Sequence, residues 1–256
     1  MEQLMSILHN AAEVLRCFGS DCSELTVTDA TRRLGIPKAN ASRLLKAMRE
    51  AKMLETIGNS HRHRPGKLML DLAAAFRRSS VIIGRGGEVV SEVSRRFGHT
   101  GYISVRDGRQ VTAVIDFPGT NSLRVVSNIG RRLPAERSAT GRSLLARMGD
   151  DEVRDLYPEL ETLPDLLGQL SRIRARGYAL SSQEATTGVD AIGIAVADGL
   201  TNEEISLCIV YPHGIVSNDE RDNMVRALAE GAAQIAKDLG DKSFVAPKLD
   251  TKDMLE

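Results

Sequence analysis

Apolar residues recur every three or four positions in three stretches near the start of the chain. This spacing places them on one face of an α-helix. The first stretch covers residues 4–18 and stops at Gly19, the second runs from Thr26 to Gly35, and the third covers residues 38–53. Asp29 follows Thr26 by three positions, which is typical of a helix N-terminus. The pattern predicts three amphipathic helices that share one core.

The second and third predicted helices are joined only by Gly35-Ile36-Pro37. Two short helices around a tight turn with glycine predict a helix-turn-helix, whose second helix enters the major groove of DNA. Amide and guanidinium groups there can bind the edges of adenine and guanine, and arginine can instead bind phosphate. A solvated helix face is the alternative interpretation. The candidate DNA contacts on this helix are Lys38, Asn40, Ser42, Arg43 and Lys46.

A hairpin with a basic tip is predicted directly after these helices. Its strands are LETI and KLML, and its tip is GNSHRHRPG. In a winged helix-turn-helix, Arg62, His63 and Arg64 would lie over DNA phosphates, and protonated histidines would strengthen DNA binding at acidic pH. A metal site at His61 and His63 is the alternative, but no cysteine or carboxylate accompanies them at ligand spacing. The prediction is therefore a DNA-binding wing without metal.

Helical spacing continues over residues 68–76, and three glycines, Gly84, Gly86 and Gly87, follow it. This arrangement predicts a linker helix followed by a hinge, with the domain boundary near residue 80. Beyond it, strand pairs alternate with helices, and SLRVVSNI is a further strand candidate. We expect an α+β fold whose C-terminal antiparallel sheet is flanked by helices. The expected ranges are 1–66 for the winged helix-turn-helix, 67–80 for the linker helix, 81–245 for the second domain and 246–256 for a tail.

Charge is distributed unevenly along the chain. The net charge of the 256 residues is zero, but residues 29–67 hold ten Lys or Arg against three Asp or Glu. Such a basic segment is the expected footprint of a nucleic-acid-binding module. The three cysteines form no even disulfide framework, and neither a secretion signal nor a membrane span is predicted. We expect a cytoplasmic protein without cofactor or metal.

Three segments resemble the IclR family of bacterial transcriptional regulators. They are LTVTDATRRLGIPKANASRLLKAMREAKMLE, GRRLPAERSATGRSLLA and RGYALSSQEATTGVDAIGIAV, in the family's order and spacing over essentially the whole chain. The resemblance implies a GAF/profilin-like effector domain that binds a small organic acid or related metabolite. It also implies a homodimer or a dimer of dimers, a roughly palindromic double-stranded DNA operator, and repression of a catabolic operon.

The resemblance also carries over an effector pocket, residue by residue. It implies contacts from Ser138, Ala139, Thr140, Gly141, Asp190, Ala191, Ile192, Cys208 and Val210, and Arg137 is added to them from its own position. Arg137 precedes a predicted helix start, where free N–H groups favour anions, so we expect it to receive the effector's carboxylate with help from Ser138 or Thr140. A surface role for Arg137 is the alternative.

Two other classes of protein remain open at the level of sequence. An enzyme would need a nucleophile and a base, and no such pair is evident, so no catalytic residue is predicted. Cys208 lies in a predicted strand, and no sequence motif with a histidine accompanies it. It is therefore interpreted as a small core residue. A protein-interaction module that uses the helix-turn-helix only for assembly is the second alternative.

Overall fold

The computed structural model describes residues 2–19, 22–126 and 129–248, with side chains described from residue 7. The chain divides into two compact units between Ser79 and Ser80. No helix in these ranges is both long and apolar enough to cross a membrane.

The first unit contains four helices and a short hairpin. In chain order they are α1 (Glu2–Arg16), α2 (Val27–Leu34), α3 (Lys38–Glu50), β1 (Leu54–Thr56), β2 (His63–Pro65) and α4 (Lys67–Ser79). Thr26 and Asp29 form both hydrogen bonds of a capping box at the start of α2, and Gly35 ends that helix with a φ of 67°. The predicted helix-turn-helix is therefore present, with tight local signals at both ends of α2.

The core of the first unit is small. Its buried apolar residues are Val14, Leu25, Ala30, Ala41, Leu45, Met48 and Leu54. The apolar face expected for α1 is only partly buried, since Ile7 and Leu8 are exposed. Helix α4 has no buried residue at all, and Leu70, Leu72 and Phe76 are exposed on it. Lys67–Leu70 was expected to form the second wing strand, but it is the first turn of α4, and that strand lies at His63–Pro65.

The second unit is built on one six-stranded sheet. Its strands are β3 (Thr100–Asp107), β4 (Gln110–Phe117), β5 (Arg132–Pro134), β6 (Ala179–Ser182), β7 (Val189–Ala197) and β8 (Glu204–Pro212). They lie in the order β5-β4-β3-β8-β7-β6, and every neighbouring pair is antiparallel. The α+β class with an antiparallel C-terminal sheet is confirmed.

Helices cover both faces of this sheet. They are α5 (Val81–Phe97) and α9 (Asn218–Leu239) on one face, and α6 (Ala139–Leu145), α7 (Asp150–Leu156) and α8 (Leu163–Arg176) on the other. Because side chains alternate along a strand, Ile192 and Ile194 of β7 pack toward α5 and α9 while Ala191 and Ala195 pack toward α6. The sheet therefore separates two apolar cores.

The glycines expected to form a hinge lie inside helix α5 instead. A Cβ on Gly86 would lie 2.6 Å from Cδ1 of Ile205 and 3.1 Å from Cδ1 of Ile103. Gly86 is thus a close contact between the helix and the sheet, and the hinge prediction is wrong. The pattern was misread because glycine permits close packing as well as flexible turns.

The strand candidate SLRVVSNI also differs from the structure. Its residues 122–126 are irregular, and residues 127 and 128 lie outside the described residues. The edge strand is instead β5, which pairs Leu133 with Val111 of β4. Thr100 holds part of the irregular segment, because its hydroxyl donates a hydrogen bond of 2.6 Å to the carbonyl of Val125.

Candidate DNA-binding surface and effector cavity

The outer face of α3 carries all five of its candidate DNA contacts. Ala41, Leu45 and Met48 are buried at helical spacing, so the intervening side chains face away from the core. Those side chains are exposed: Lys38, Asn40, Ser42, Arg43 and Lys46. Arg43 donates a hydrogen bond of 3.0 Å from Nη2 to Oδ1 of Asn40, which orients both groups. The arrangement can present a donor pair and flanking cations to a DNA groove.

The two wing arginines are exposed but already have carboxylate partners. Nη1 of Arg62 lies 2.8 Å from Oε2 of Glu24, and Nη2 of Arg64 lies 2.6 Å from Oε1 of Glu55. Exposed ion pairs of this kind contribute at most about 1 kcal/mol and can exchange partners. The wing therefore offers less free positive charge to a phosphate than its sequence suggests.

His63 does not lie on the outer side of the wing. It is buried, its backbone pairs with Leu25 through bonds of 2.7 and 2.8 Å, and its Nδ1 has no hydrogen-bond partner. Burial lowers the pKa of His63, because the charged ring would lose its hydration. A phosphate contact by His63 does not fit this position, so it would not strengthen DNA binding on acidification. Within the described ranges, no three His, Cys, Asp or Glu side chains are placed to bind a metal ion.

A cavity of about 250 Å³ lies on the sheet face that α6 covers. All six strands contribute to its wall, together with the start of α6, the irregular segments 118–126 and 129–131, and the loop 183–188. The lining residues are Tyr102, Ser104, Val111, Ala113, Val125, Val126, Arg131, Leu133, Ser138, Ala139, Thr140, Ser181, Ala185, Thr186, Val189, Ala191, Cys208 and Val210. Most of this surface is apolar, as in small-molecule sites generally.

Six of the ten expected effector contacts line this cavity. They are Ser138, Ala139, Thr140, Ala191, Cys208 and Val210. Asp190 and Ile192 flank Ala191 and therefore point to the other face of β7, where Ile192 is wholly buried and Asp190 lies 3.0 Å from Nδ1 of His213.

Gly141 and Arg137 also lie away from the cavity. A Cβ on Gly141 would come within 2.2 Å of the carbonyl oxygen of Ala135, so this glycine lets α6 approach the preceding turn. Nη2 of Arg137 lies 3.4 Å from the carbonyl oxygen of Glu184, in a separate open cleft that Glu136 and Asp165 also line. The structure thus places Arg137 on the surface, which is the alternative weighed for it above.

The start of α6 is held tightly against the sheet. Ser138 caps the helix by accepting a hydrogen bond of 3.0 Å from the N–H of Gly141. A Cβ on Gly193 would lie 2.7 Å from the carbonyl oxygen of Ala139, so β7 and α6 touch through their backbones. The start of α6 is therefore closely packed against the sheet at this side of the cavity.

The thiol of Cys208 is part of the cavity wall. Burial raises its pKa to about 11, so the group is a neutral thiol at physiological pH. A neutral thiol is a weak nucleophile. Cys208 acts as a small, polarisable wall residue next to Thr140.

Sequence reasoning missed twelve of the lining residues, namely Leu133, Ser181 and Val189 on β5, β6 and β7 and two larger groups. Tyr102, Ser104, Val111 and Ala113 come from the β3–β4 hairpin, which was predicted without any site, and alternation along that hairpin was the available signal. Arg131 and the loop residues Val125, Val126, Ala185 and Thr186 lie in irregular segments, where periodicity provides no signal.

A winged helix-turn-helix joined to a unit that encloses a small-molecule-sized cavity defines the class of DNA-binding regulators with a separate effector domain. Models of known families agree with this class. The IclR helix-turn-helix domain matches residues 8–58, and the C-terminal domain of the bacterial transcriptional regulator IclR matches residues 77–237. The chain belongs to the IclR family of bacterial transcriptional regulators.

Relatives and solved structures are similar over nearly the full length. The HTH-type transcriptional regulator XynR of Escherichia coli K12 is 24% identical over 93% of this chain and 98% of its own. The repressor AllR of the same strain is 20% identical over 92% and 91%. The IclR regulator of Alicyclobacillus acidocaldarius has a TM-score of 0.80 at 21% identity, covering 91% of this chain and 98% of its own. An IclR homolog of Microbacterium hydrocarbonoxydans, complexed with 4-hydroxybenzoate, has a TM-score of 0.73 at 21% identity over 92% and 100%.

Proposed function

We propose that this regulator binds a roughly palindromic operator as a homodimer, and that a small organic-acid-like effector in the sheet cavity controls its operator affinity. Repression of a catabolic operon is the proposed outcome, which the named repressor AllR supports. The observation that carries the proposal is the cavity on the sheet, whose wall combines residues of both family segments of the second unit with β8 and the β3–β4 hairpin. The bound 4-hydroxybenzoate of the Microbacterium homolog supports an organic acid as effector.

The DNA contact is assigned to the exposed face of α3. Fluorescence anisotropy with the DNA upstream of the gene should show binding that weakens steeply with salt. Arg43→Ala should cost about 1–3 kcal/mol and relax specificity if Arg43 reads a base. Lys38→Ala should weaken binding to all sequences and lower the salt slope by about one.

A matched control for these variants is Arg95→Ala in the second unit. Arg95 is exposed and paired with Glu92, as an ordinary surface arginine is. Its loss removes the same charge without touching α3. Equal weakening by Arg43→Ala and Arg95→Ala would contradict the assignment of the DNA contact to α3.

Homodimer formation is proposed from the exposed apolar side chains of α1 and α4. Leu72 and Phe76 lie one helical turn apart and are both exposed, in a helix that buries nothing within the single chain. Sedimentation equilibrium should show a dimer or a larger species for the wild type. The double variant Leu72→Lys with Phe76→Lys should dissociate at higher concentration than the wild type, and a monomeric wild type would contradict the proposal.

Effector control is tested by linkage between ligand and DNA. A ligand that binds one arrangement of the dimer better than another changes operator affinity, and a coupling of about 1–3 kcal/mol corresponds to a factor of roughly 5–150. A thermal-shift screen of small metabolites, including 4-hydroxybenzoate, should identify a stabilising compound. That compound should then change the anisotropy titration, and a stabilising compound without such an effect would contradict effector control.

A further inference from the structure

We propose that Arg131 binds the anionic head of the effector at the mouth of the cavity, and that the effector is a small monoanion with an apolar body. The inference rests on the proposed function, because it names the class of ligand for the same cavity. The positive charge that binds the anion is thereby assigned to Arg131, which the sequence analysis did not predict as an effector contact.

Arg131 is the one charged side chain among the described residues that line the cavity. Its Nη1 donates a hydrogen bond of 3.2 Å to the hydroxyl of Thr186, and it forms no ion pair with a carboxylate of the described residues. A guanidinium keeps its charge at any physiological pH and offers several donors in one plane. It therefore has donors left for a carboxylate, which it can bind with two parallel hydrogen bonds.

The rest of the cavity favours an apolar body. The sheet side of the wall carries Val111, Ala113, Leu133, Ala191 and Val210, and the neutral thiol of Cys208 lies beside them. A second charge placed there would lose its hydration without gaining a partner of opposite charge. The wall thus selects against dianions, while the hydroxyl-bearing residues Ser104, Thr140 and Ser181 in it are compatible with a neutral polar group on the body.

The size of the cavity limits the body further. At about 250 Å³ it lies below the range of roughly 300–1,000 Å³ that is usual for small-molecule sites. Branched short-chain carboxylates and single-ring aromatic carboxylates are the matching class.

The position of Arg131 also ties the head group to two loops. Arg131 lies directly before β5 and Thr186 lies in the loop 183–188, so their hydrogen bond joins these two segments at the cavity mouth. Val126 lines the same mouth with a side chain that is 82% exposed. An anion bound by Arg131 would lie between the loops, and its apolar body would point toward the sheet.

Arg137 is the rival anion site, and its surroundings argue against it. The cleft in which it lies is also lined by Glu136, Asp165 and Glu184. Arg142 also lines this cleft and pairs with Glu184, so two arginines face three carboxylates, and the remaining negative charge disfavours an approaching anion. The cavity therefore favours an anionic ligand, whereas this cleft does not.

The first test compares ligands on the full-length wild-type protein. The probes are benzoate and 3-methylbutanoate, their neutral amides, and the dianion phthalate, each measured by thermal shift and calorimetry. We expect at least one monoanion to bind, and its amide and phthalate to bind at least about 10-fold more weakly. Binding by neither monoanion, or equal binding of anion and amide, would overturn the inference.

The second test changes the arginine. Arg131→Gln should weaken binding of the preferred monoanion by about 10- to 100-fold and should abolish the preference for the anion over its amide. A merely structural role for Arg131 would weaken both ligands alike. Arg132→Gln is the matched control, since Arg132 is the exposed neighbour that does not line the cavity. Loss of anion binding in Arg137→Gln but not in Arg131→Gln would assign the head group to the rival site.

The outcomes separate this inference from the proposed function. If the amides bind and change operator affinity while the anions do not, the cavity remains the proposed effector site, but the proposed role of Arg131 is contradicted. If the wild type does not bind its upstream DNA at any salt concentration, the proposed function fails whatever the ligand data show.

Discussion

Arginine is used differently in the two units of this regulator. Arg43, Arg62 and Arg64 of the first unit lie on its surface, where a polyanion can reach them. Arg142 and Arg147 of the second unit are nearly buried, with side chains 4% and 11% exposed, and both are bound by carboxylates. Exposed arginines can exchange a surface carboxylate for another partner, as Arg62 and Arg64 can, whereas buried ion pairs hold segments of the same chain together.

The comparison explains why Arg131 stands out. It belongs to the unit whose least exposed arginines have carboxylate partners, yet it faces a cavity and, among the described residues, its side chain is hydrogen-bonded to a hydroxyl and to no carboxylate. A half-buried guanidinium without an anion is energetically incomplete, because part of its hydration has been lost without a compensating charge. The predictions below test how far this difference between the units extends.

The largest effect is expected from Arg147→Met. Arg147 lies 2.9 Å from Oδ1 of Asp241, whose side chain is only 2% exposed, and 2.8 Å from Oε1 of Glu204. Removal of the arginine leaves a buried carboxylate without its partner, which costs about 3–5 kcal/mol in comparable pairs. All four tyrosines lie in the second unit and tryptophan is absent from the chain, so tyrosine fluorescence in a urea titration follows that unit.

The control for Arg147→Met is Arg95→Met in the same unit. Arg95 pairs with Glu92 in full contact with solvent, so its loss should cost less than about 1 kcal/mol. Similar losses for the two variants would mean that the buried pair contributes no more than a surface pair, and the comparison between the units would fail.

The next effect is expected from Gly141→Ala, where α6 packs against the preceding turn. The added methyl group would overlap the backbone of Ala135, which cannot move as a side chain can. Overpacking of this kind costs about 1–3 kcal/mol, again measured by urea denaturation. Gly168→Ala is the control, because nothing lies within 4 Å of a Cβ there and the residue is exposed within α8.

The control should change stability in the opposite direction. Alanine is better than glycine in a helix interior by roughly 0.5–1 kcal/mol, so Gly168→Ala should stabilise the second unit. If Gly141→Ala unfolds as the wild type does, the glycine has no packing role between α6 and the preceding turn.

The surface of α3 could be predicted from the sequence because one continuous segment builds it. Helical spacing separates its buried positions from its exposed ones, and a capping box and a glycine mark the preceding helix. The cavity could not be derived in this way. Its wall combines residues from six strands, and which strands are neighbours depends on contacts between distant segments.

The resemblance to the family indicated which segments contribute to the cavity. It did not indicate which side chains of those segments face the cavity. It indicated the right stretch of β7, yet of three consecutive residues only Ala191 lines the cavity, since neighbours on a strand point in opposite directions. Arg131 had no signal of either kind, because it lies in an irregular loop outside the carried-over positions.

A smaller effect concerns the two histidines of the wing, His61 and His63. His63 is buried and its pKa is lowered, so the unfolded chain takes up its proton at a higher pH than the folded chain does. The free energy of unfolding of the first unit therefore decreases as the pH falls below about 6.5, which is the ordinary pKa of histidine. Between pH 7.5 and 5.5, circular dichroism melts of His63→Leu should change less than those of the wild type.

The control for His63→Leu is the same substitution at His61. His61→Leu should retain the pH dependence of the wild type, because His61 is exposed on the wing. Equal behaviour of the two variants would show that burial of His63 does not shape the pH response of the first unit.

The smallest effect is a gain of DNA affinity in Glu55→Gln. Glu55 pairs with Arg64 and is itself close to the surface proposed to meet phosphates. Loss of its charge frees the arginine and removes repulsion of DNA, which should strengthen binding by about 0.2–1 kcal/mol, or roughly 1.5- to 5-fold. Anisotropy titrations at low and high salt should show the gain mainly at low salt. Glu92→Gln makes the same change of net charge in the second unit, so an equal gain there would assign the effect to total charge and remove the wing from the proposed DNA contact.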